Sequence, residues 1–397
     1  MSIFVNLPSE VLTAIQMLNN AGYEAYAVGG CVRDSILGRE PDDWDVTTSS
    51  TPEETQRIFA DFPTIETGIK HGTLTVIVEG MPLEITTYRI DGCYSDGRHP
   101  DDISFTGSLS EDLRRRDFTI NAMAYHPKNG LVDLYEGQKD LSAGVIRCVG
   151  DPYQRFEEDA LRILRALRFS SVLGFAIEAD TERALCSLSS NLSKVSAERL
   201  VGELSKLLCG EKAEAVVRRY RRVITEILPE IGHDTDLHGL SVVRPTITAR
   251  FAALFHGAAI SPAVAKIILQ RLRLDNKTAH NVSLLMTNIT RCVYTEDTYL
   301  LHVLQLVGPD LVFDYLTLRG FDGDTVSRVR QILDRGECYC LSMLAVNGED
   351  VIAAGIEPGR RVGETLQILL DAVIDGVCPN DKKTLLEYVK LIKKPVQ

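Results

Sequence analysis

YAVGGCVRDSILGREPDDWDVTT, residues 26–48, is the stretch whose reading decides the fold. A short apolar run from Ala25 to Val28 stops at Gly29-Gly30, and a helix-like segment, 31–37, follows and ends at Gly38, a natural C-terminal stop. Asp43-Trp44-Asp45-Val46 then opens a strand, and because strand side chains alternate with period two, Asp43 and Asp45 project from one face. Two carboxylates side by side repel unless a cation sits between them. A hard divalent ion such as Mg²⁺, which takes one or two carboxylates plus substrate phosphates, meets that need. An acidic pair on a loop is usually solvated surface, so the weight comes from the glycine turn before it. The Gly29-Gly30 turn lets backbone N–H groups approach a phosphate, and the helix start behind it adds a positive dipole end. Arg33 either adds a further positive charge or pairs with Asp34 or Asp42.

Working outward, Val11, Ile15 and Leu18 mark a short amphipathic helix before the turn, stopped at Gly22. After it, Thr51-Pro52-Glu53-Glu54 carries a cap, a proline at the first helical position and a glutamate three residues on. Strand patterns return at 72–78 and 83–88, the second holding Glu84, either a solvent-facing edge residue or a third carboxylate of the site. DGCYSDGRHPDD (91–102) reads as a mobile loop carrying Arg98 and His99. In LRRRDFTINAMAY (113–125), the basic run is either solvated or sets Arg115 and Arg116 against phosphates or a sugar, with Asp117 orienting them or a ribose hydroxyl. GLVD (130–133) and 145–149 complete the strand candidates of this half.

From about Asp151 the character changes, and nearly every segment reads helical, which gives an α+β chain with a boundary near residue 150. DPYQRFEEDALRILRALRFSSVLGF reads as one helix, with Glu158, Asp159, Arg162 and Arg165 at spacings of three and four. SAERLVGELSKLL (196–208) follows as an amphipathic helix capped by Ser196, with a polar face from Glu198 to Lys206. Arg218, Arg219, Arg221 and Arg222 form a basic knot around Tyr220, and Arg360, Arg361, Lys382, Lys383, Lys390, Lys393 and Lys394 enrich the end of the chain. These permit local phosphate contacts although the net charge is −12.

At 397 residues, with 45% hydrophobic and 25% charged side chains, the chain has room for several packed domains. No stretch has the apolar length of a membrane span, and MSIFVNLPSE is too short and polar for a secretory signal. The nine cysteines are scattered, without zinc-like pairs of pairs, so reduced thiols in a cytoplasm are expected.

GGCVRDSILGREPDDWDVTTSS, TGIKHGTLTV, YSDGRHPDDISF, RRRDFTINAMAY, RFEEDALRILRALRF and SAERLVGELSKLL, in that order, resemble the bacterial class II tRNA nucleotidyltransferases, the CCA-adding family, relatives of poly(A) polymerase and of polymerase β-type nucleotidyltransferases. The tail GIEPGRRVGETLQILLDAVIDGVCPNDKKTLLEYVK is similar to the family's tail. The resemblance implies a catalytic head with a mixed sheet (1–150), then a helical neck (151–210), body (211–310) and tRNA-binding tail (311–397). It implies metal-binding carboxylates at Asp43 and Asp45, with Glu84 beside them, and a triphosphate turn at Gly29, Gly30 and Arg33. It further implies a ribose-discriminating motif at Arg115 and Asp117, base selection by Glu158, Asp159 and Arg162 on the neck, and Asn121 and Arg165 as further nucleotide-binding residues. The implied reaction adds C, C and A to the 3′ end of tRNA from CTP and ATP, with Mg²⁺ and without a template. The full 91–102 loop favours complete CCA addition over CC-only addition; A-only addition and poly(A) synthesis are the alternatives. Some relatives carry a His-Asp phosphohydrolase domain. In FAALFHGAA, Gly257 follows His256, so a second, hydrolytic activity is not expected.

Overall fold

The computed structural model describes residues 4–66, 68–92, 103–232, 234–289 and 296–392. The chain divides into two units, 1–233 and 234–397.

In the first unit, α1 (Ser9–Asn20) buries Val11, Ala14, Ile15 and Leu18, the face its apolar spacing marks. β1 (Ala25–Val28) is wholly buried and ends at Gly29, whose φ of +86° only glycine adopts without strain. α2 (Gly30–Ile36) starts there, and β2 (Asp45–Thr48) follows. α3 (Pro52–Ile58) opens with the predicted reciprocal cap between Thr51 and Glu54. Next come β3 (Thr64–Ile65), β4 (Thr73–Val78), β5 (Met81–Thr87), the antiparallel pair β6 (Arg89–Asp91) and β7 (Ile103–Phe105), and α4 (Leu109–Arg114). β8 (Met123–His126), β9 (Gly130–Asp133) and α5 (Gly137–Ala143) complete the head.

Seven strands form one mixed sheet in the order β3-β4-β5-β2-β1-β8-β9. β1 lies between β2 and β8, which is why it is apolar throughout rather than alternating. β2 and β5 run parallel, in a register that sets Asp45 opposite Glu84 and Thr47 opposite Thr86. Tyr26, Val28, Tyr88, Leu113 and Ala124 pack together and fasten the sheet to α4.

The expected strand at 145–149 shrinks to β10 (Val145–Ile146), which pairs in parallel with β11 (Ala176–Ile177) outside the main sheet. Phe118 and Cys148 form an isolated bridge, so this segment ties the head to the neck instead of extending the sheet. The single helix expected from residue 151 is two: α6 (Pro152–Glu158) and α7 (Leu161–Leu173). Asp159 between them is extended, at φ −144° and ψ 102°. α8 (Ala179–Ser187) and α9 (Ala197–Cys209) come next, and α7 and α9 are joined where Ser171 Oγ donates to the Leu207 carbonyl at 2.6 Å. Ser196 stands at the N-cap of α9 without a side-chain capping bond, and Glu203, on the face read as polar, is buried.

The second unit is helical, without a strand among its described residues; its longer helices are Ile247–Gly257, Pro262–Arg271, Asn276–Asn288, Asp297–Val307, Gly323–Asp334, Arg360–Ile374 and Lys382–Ile392. Its most buried acid, Asp314, takes a two-bond clamp from Arg244, at 2.8 and 2.7 Å.

Candidate active site

The strand starts two residues later than the sequence reading predicts. β2 begins at Asp45, and Asp43 precedes it as an exposed residue. The two still share an environment with Glu84, which stands across the β2–β5 ladder from Asp45. Burial pushes the Asp45 carboxyl up to about 6; Arg116 opposes that, while Asp43 and Glu84 add to it. Asp45 is thus a carboxylate short of positive charge, and the donor set is hard oxygen, which fits a divalent cation. Among the described residues, no group of three or more His, Cys, Asp or Glu side chains converges as a metal cage. The fit is therefore to an ion held by the pair and completed by other oxygens. Cys31, at the start of α2, faces the Asp45 carbonyl at 3.9 Å; burial pushes its thiol up to about 11, so it packs and does not react.

Two arginines flank this row, and neither is oriented by Asp117. Asp112, on α4 and fully buried, does that instead: its Oδ1 accepts from Arg115 Nε (2.9 Å) and Nη2 (2.7 Å). Its Oδ2 accepts from Arg116 Nη2 at 3.4 Å and from Thr47 Oγ1 at 3.2 Å. Burial alone would raise the Asp112 carboxyl, but Arg116 and Arg115 hold it below the usual range. Arg116 also reaches Gly29: a Cβ there would lie 2.9 Å from Arg116 Nη1, so the arm would have to shift.

Asp117 belongs to a separate chain of hydrogen bonds that runs from α2 to α9. Arg33 pairs with Asp34, not Asp42, through Nε (2.9 Å) and Nη2 (2.7 Å), and its Nη1 donates to Asn121 Oδ1 at 2.6 Å. Asn121 Nδ2 donates to Asp117 Oδ1 at 3.0 Å, and Asp117 Oδ2 takes Arg165 at 2.7–2.8 Å. Glu203 closes the chain against Arg165 (3.5 Å) and Arg168 (3.2 Å). Beneath it lies Phe169, with the guanidinium carbons of Arg168, Arg33 and Arg165 at 4.1, 4.9 and 5.6 Å from its ring centroid. Burial would raise Asp117, but Arg165 and the Asn121 bond hold it well below the carboxylate range.

On the neck, Asp159 and Arg162 do not sit side by side on one helix. Asp159 Oδ1 accepts from the Leu161 N–H (3.1 Å), starting α7, and Oδ2 takes Arg199 of α9 at 2.7 Å. Arg162 pairs with Glu158 at 2.7 Å, and its Nη2 donates to the Arg115 carbonyl at 3.1 Å, which docks the neck on the arginine motif.

The structure therefore gathers Gly29, Arg33, Asn121, Asp117 and Arg165 into one network, and Asp45, Glu84, Arg116 and Arg115 around another. Asp112, Arg168, Phe169, Glu203 and Arg199 escaped the sequence reading. Asp112 had a signal, three and four residues before Arg115 and Arg116; the others needed the packing of α7 on α9.

Elsewhere the basic clusters are largely paired: Arg218 with Glu214, Arg219 with Glu182, Arg360 with Glu364 and Lys382 with Asp350. Most of the 91–102 loop, with Arg98 and His99, lies outside the described residues, as do Lys393 and Lys394. A His-Asp doublet does occur at His233-Asp234, which qualifies the expectation drawn from FAALFHGAA; His233 is also outside the described residues. At Gly257 itself a Cβ would lie 1.8 Å from the Asp236 carbonyl oxygen, so no aspartate fits there as the backbone stands. No helix among the described residues is long and apolar enough to cross a membrane.

Three family models match in sequence: the Poly A polymerase head domain over 25–147, an RNA- and SrmB-binding region of polymerase A over 174–232, and tRNA nucleotidyltransferase domain 2 over 245–389. The CCA-adding enzyme of Leuconostoc mesenteroides is 36% identical over 97% of this chain and 97% of its own length. The chain belongs to the CCA-adding enzyme family. The family member from Geobacillus thermodenitrificans is 35% identical over 96% of each chain. The crystal structure of the Bacillus stearothermophilus CCA-adding enzyme in complex with CTP superposes with a TM-score of 0.79 at 32% identity, covering 96% of both chains. Membership makes the chain a nucleotidyltransferase, a class that works with divalent metal ions.

Proposed function

We propose that the chain completes tRNA 3′ ends by adding C, C and A from CTP and ATP, with Mg²⁺ at Asp43 and Asp45 and without a nucleic-acid template. The observation that carries this reading is the full-length kinship to CCA-adding enzymes, joined to an Asp45–Glu84 ladder lying beside the Gly29 turn. Partial CC-only or A-only addition and poly(A) synthesis are less favoured, because the relatives named above are CCA-adding enzymes over nearly their whole length.

In the reaction, the terminal 3′ oxygen attacks the α-phosphorus, the bond to the β-phosphate oxygen breaks, pyrophosphate leaves, and the hydroxyl proton passes to solvent. A divalent ion, when bound, supplies charge stabilisation for the phosphoryl oxygens. The Gly29 N–H is taken by the Met123 carbonyl at 3.2 Å, so the triphosphate meets the start of α2 at Gly30, and Arg33, braced by Asp34 and Asn121, meets its charge. Arg115 and Asp117 bear on the ribose. Asp159 and Arg162 read the base: a carboxylate only accepts and a guanidinium only donates. Cytosine and adenine both present an amino donor beside a ring-nitrogen acceptor, whereas uracil and guanine present the reverse, so wrong bases meet like against like. Glu158 braces Arg162 at 2.7 Å, and Arg165 braces Asp117 at 2.7 Å. A division into head (1–150), neck (151–210), body (211–310) and tRNA-binding tail (311–397) accords with the helical continuation, and a cytoplasmic location with the reaction.

The test offers tRNA transcripts ending before CCA, after C and after CC, each with one labelled nucleotide. Stepwise C, C, A incorporation is expected. Incorporation of A alone on every transcript would replace this reading with poly(A) synthesis.

A further inference from the structure

Asp112 is fully buried and serves three donors at once. Arg115 takes Oδ1 with two short bonds, 2.9 and 2.7 Å. Oδ2 is left to Thr47 at 3.2 Å and to Arg116 at 3.4 Å, a single, longer tether. Thr47 lies two residues along β2 from Asp45, on the same strand face, and its hydroxyl also reaches the Thr86 carbonyl at 3.2 Å. Asp112 is thereby pinned to the two strands that carry Asp45 and Glu84. Arg116 stretches from this tether toward Gly29, and its buried Nε has no hydrogen-bond partner among the described residues. Its guanidinium is the largest favourable charge acting on Asp45. The arm is therefore within electrostatic reach of two carboxylates and bonded to one of them.

We propose that Asp112 is a positioning residue that holds Arg116 off Asp45, so that the Asp43–Asp45 pair stays open to a divalent cation. Without the Asp112 charge, Arg116 loses its tether while keeping its attraction to Asp45, and the ion pair so formed competes directly with the metal. The inference rests on the assignment of Asp43 and Asp45 as metal-binding residues. It separates two roles within one basic run: Arg115 is fixed by a bidentate bond, while Arg116 is a restrained competitor.

Trp44, the chain's single tryptophan, is buried between Asp43 and Asp45 and reports on the site without nucleotide or turnover. The experiment titrates Mn²⁺ against the full chain and follows Trp44 quenching in the wild type, Asp112→Asn, Arg116→Gln, the double variant and Asp45→Asn. Asp112→Asn is expected to weaken Mn²⁺ binding roughly tenfold, the scale of a one-unit shift from a charge brought beside a carboxylate. The decisive readout is non-additivity: Arg116→Gln should strengthen binding far more in the Asp112→Asn background than in the wild type. Equal strengthening in both backgrounds would mean that Asp112 acts only as a distant negative charge, and would overturn the proposal. Asp45→Asn tests the underlying assignment separately, since unchanged Mn²⁺ affinity there removes the metal reading itself. If circular dichroism shows that Asp112→Asn fails to fold, Thr47→Val loosens the same tether by one hydrogen bond. A weaker Mn²⁺ affinity in Thr47→Val that Arg116→Gln reverses supports the proposal, and an unchanged affinity overturns it.

Discussion

In the proposed reaction, Asp43 and Asp45 are the side chains on which the chemistry depends most. Replacing either with alanine should cut nucleotide addition by at least on the order of a thousandfold, with tRNA binding nearly intact. Primer extension beside filter binding checks both halves. Base selection is subtler than two heads on one helix. Asp159 is held from outside by Arg199, so Arg199→Ala should blur discrimination between CTP and UTP although Arg199 is assigned no base contact. Arg162→Ala should lower CTP and ATP use by about 1–3 kcal/mol, the cost of losing a charged hydrogen bond. kcat/KM for all four nucleotides on a tRNA lacking its CCA measures both, and unchanged ratios would leave these residues as neck salt bridges only. Asp117 makes a pH prediction. Its folded pKa lies below the unfolded value, so the fold binds fewer protons than the unfolded chain. That contribution is complete above the unfolded carboxyl range and is lost as pH falls through the folded value. Asp117→Asn should therefore cost about 2–3 kcal/mol at pH 7, discounted because the Arg165 side chain is 32% exposed, and the difference should narrow by pH 3 without closing, since it vanishes only below the folded value. Urea unfolding of both proteins at pH 7 and pH 3 reads it.

Among the elements, α7 joins head to neck, and its organiser is a ring rather than a charge. Phe169 carries Arg168, Arg33 and Arg165 around its ring and meets Phe118 edge-on at 5.8 Å. Phe169→Leu keeps most of the volume and removes the π-face. It should cost about 1–3 kcal/mol of stability and raise KM for CTP more than it lowers kcat. Thermal melts and steady-state kinetics give the two numbers. The elements differ in how far the sequence disclosed them. β4 alternates and α3 carries its capping box, and both were legible because their signals are local. The break at Asp159 was not, because EEDA contains neither glycine nor proline and the Glu158–Arg162 pair survives it. Strands two residues long, such as β10 and β11, have no period to read. The candidate site was legible in its members and illegible in its partnerships. Which acid takes Arg115, Asp112 or Asp117, is settled by the burial of α4 against the sheet, and spacing alone allows both.

At the scale of the whole molecule, every strand among the described residues and every proposed catalytic or nucleotide-binding residue falls within 1–233, one of the two units. A fragment of those residues should melt cooperatively and bind CTP, as calorimetry would show; a non-cooperative melt would mean that the head and neck depend on residues beyond 233. The helical second unit carries its own constraint at Gly257. The Asp236 carbonyl oxygen occupies the space where a side chain would begin, and the Asp236 N–H in turn donates to the Gly257 carbonyl at 2.9 Å. These two backbones form a lock. A His-Asp doublet at 256–257 therefore needs the 236 segment rebuilt as well as the residue changed, so here the backbone, and not the side chain alone, sets what the position can hold.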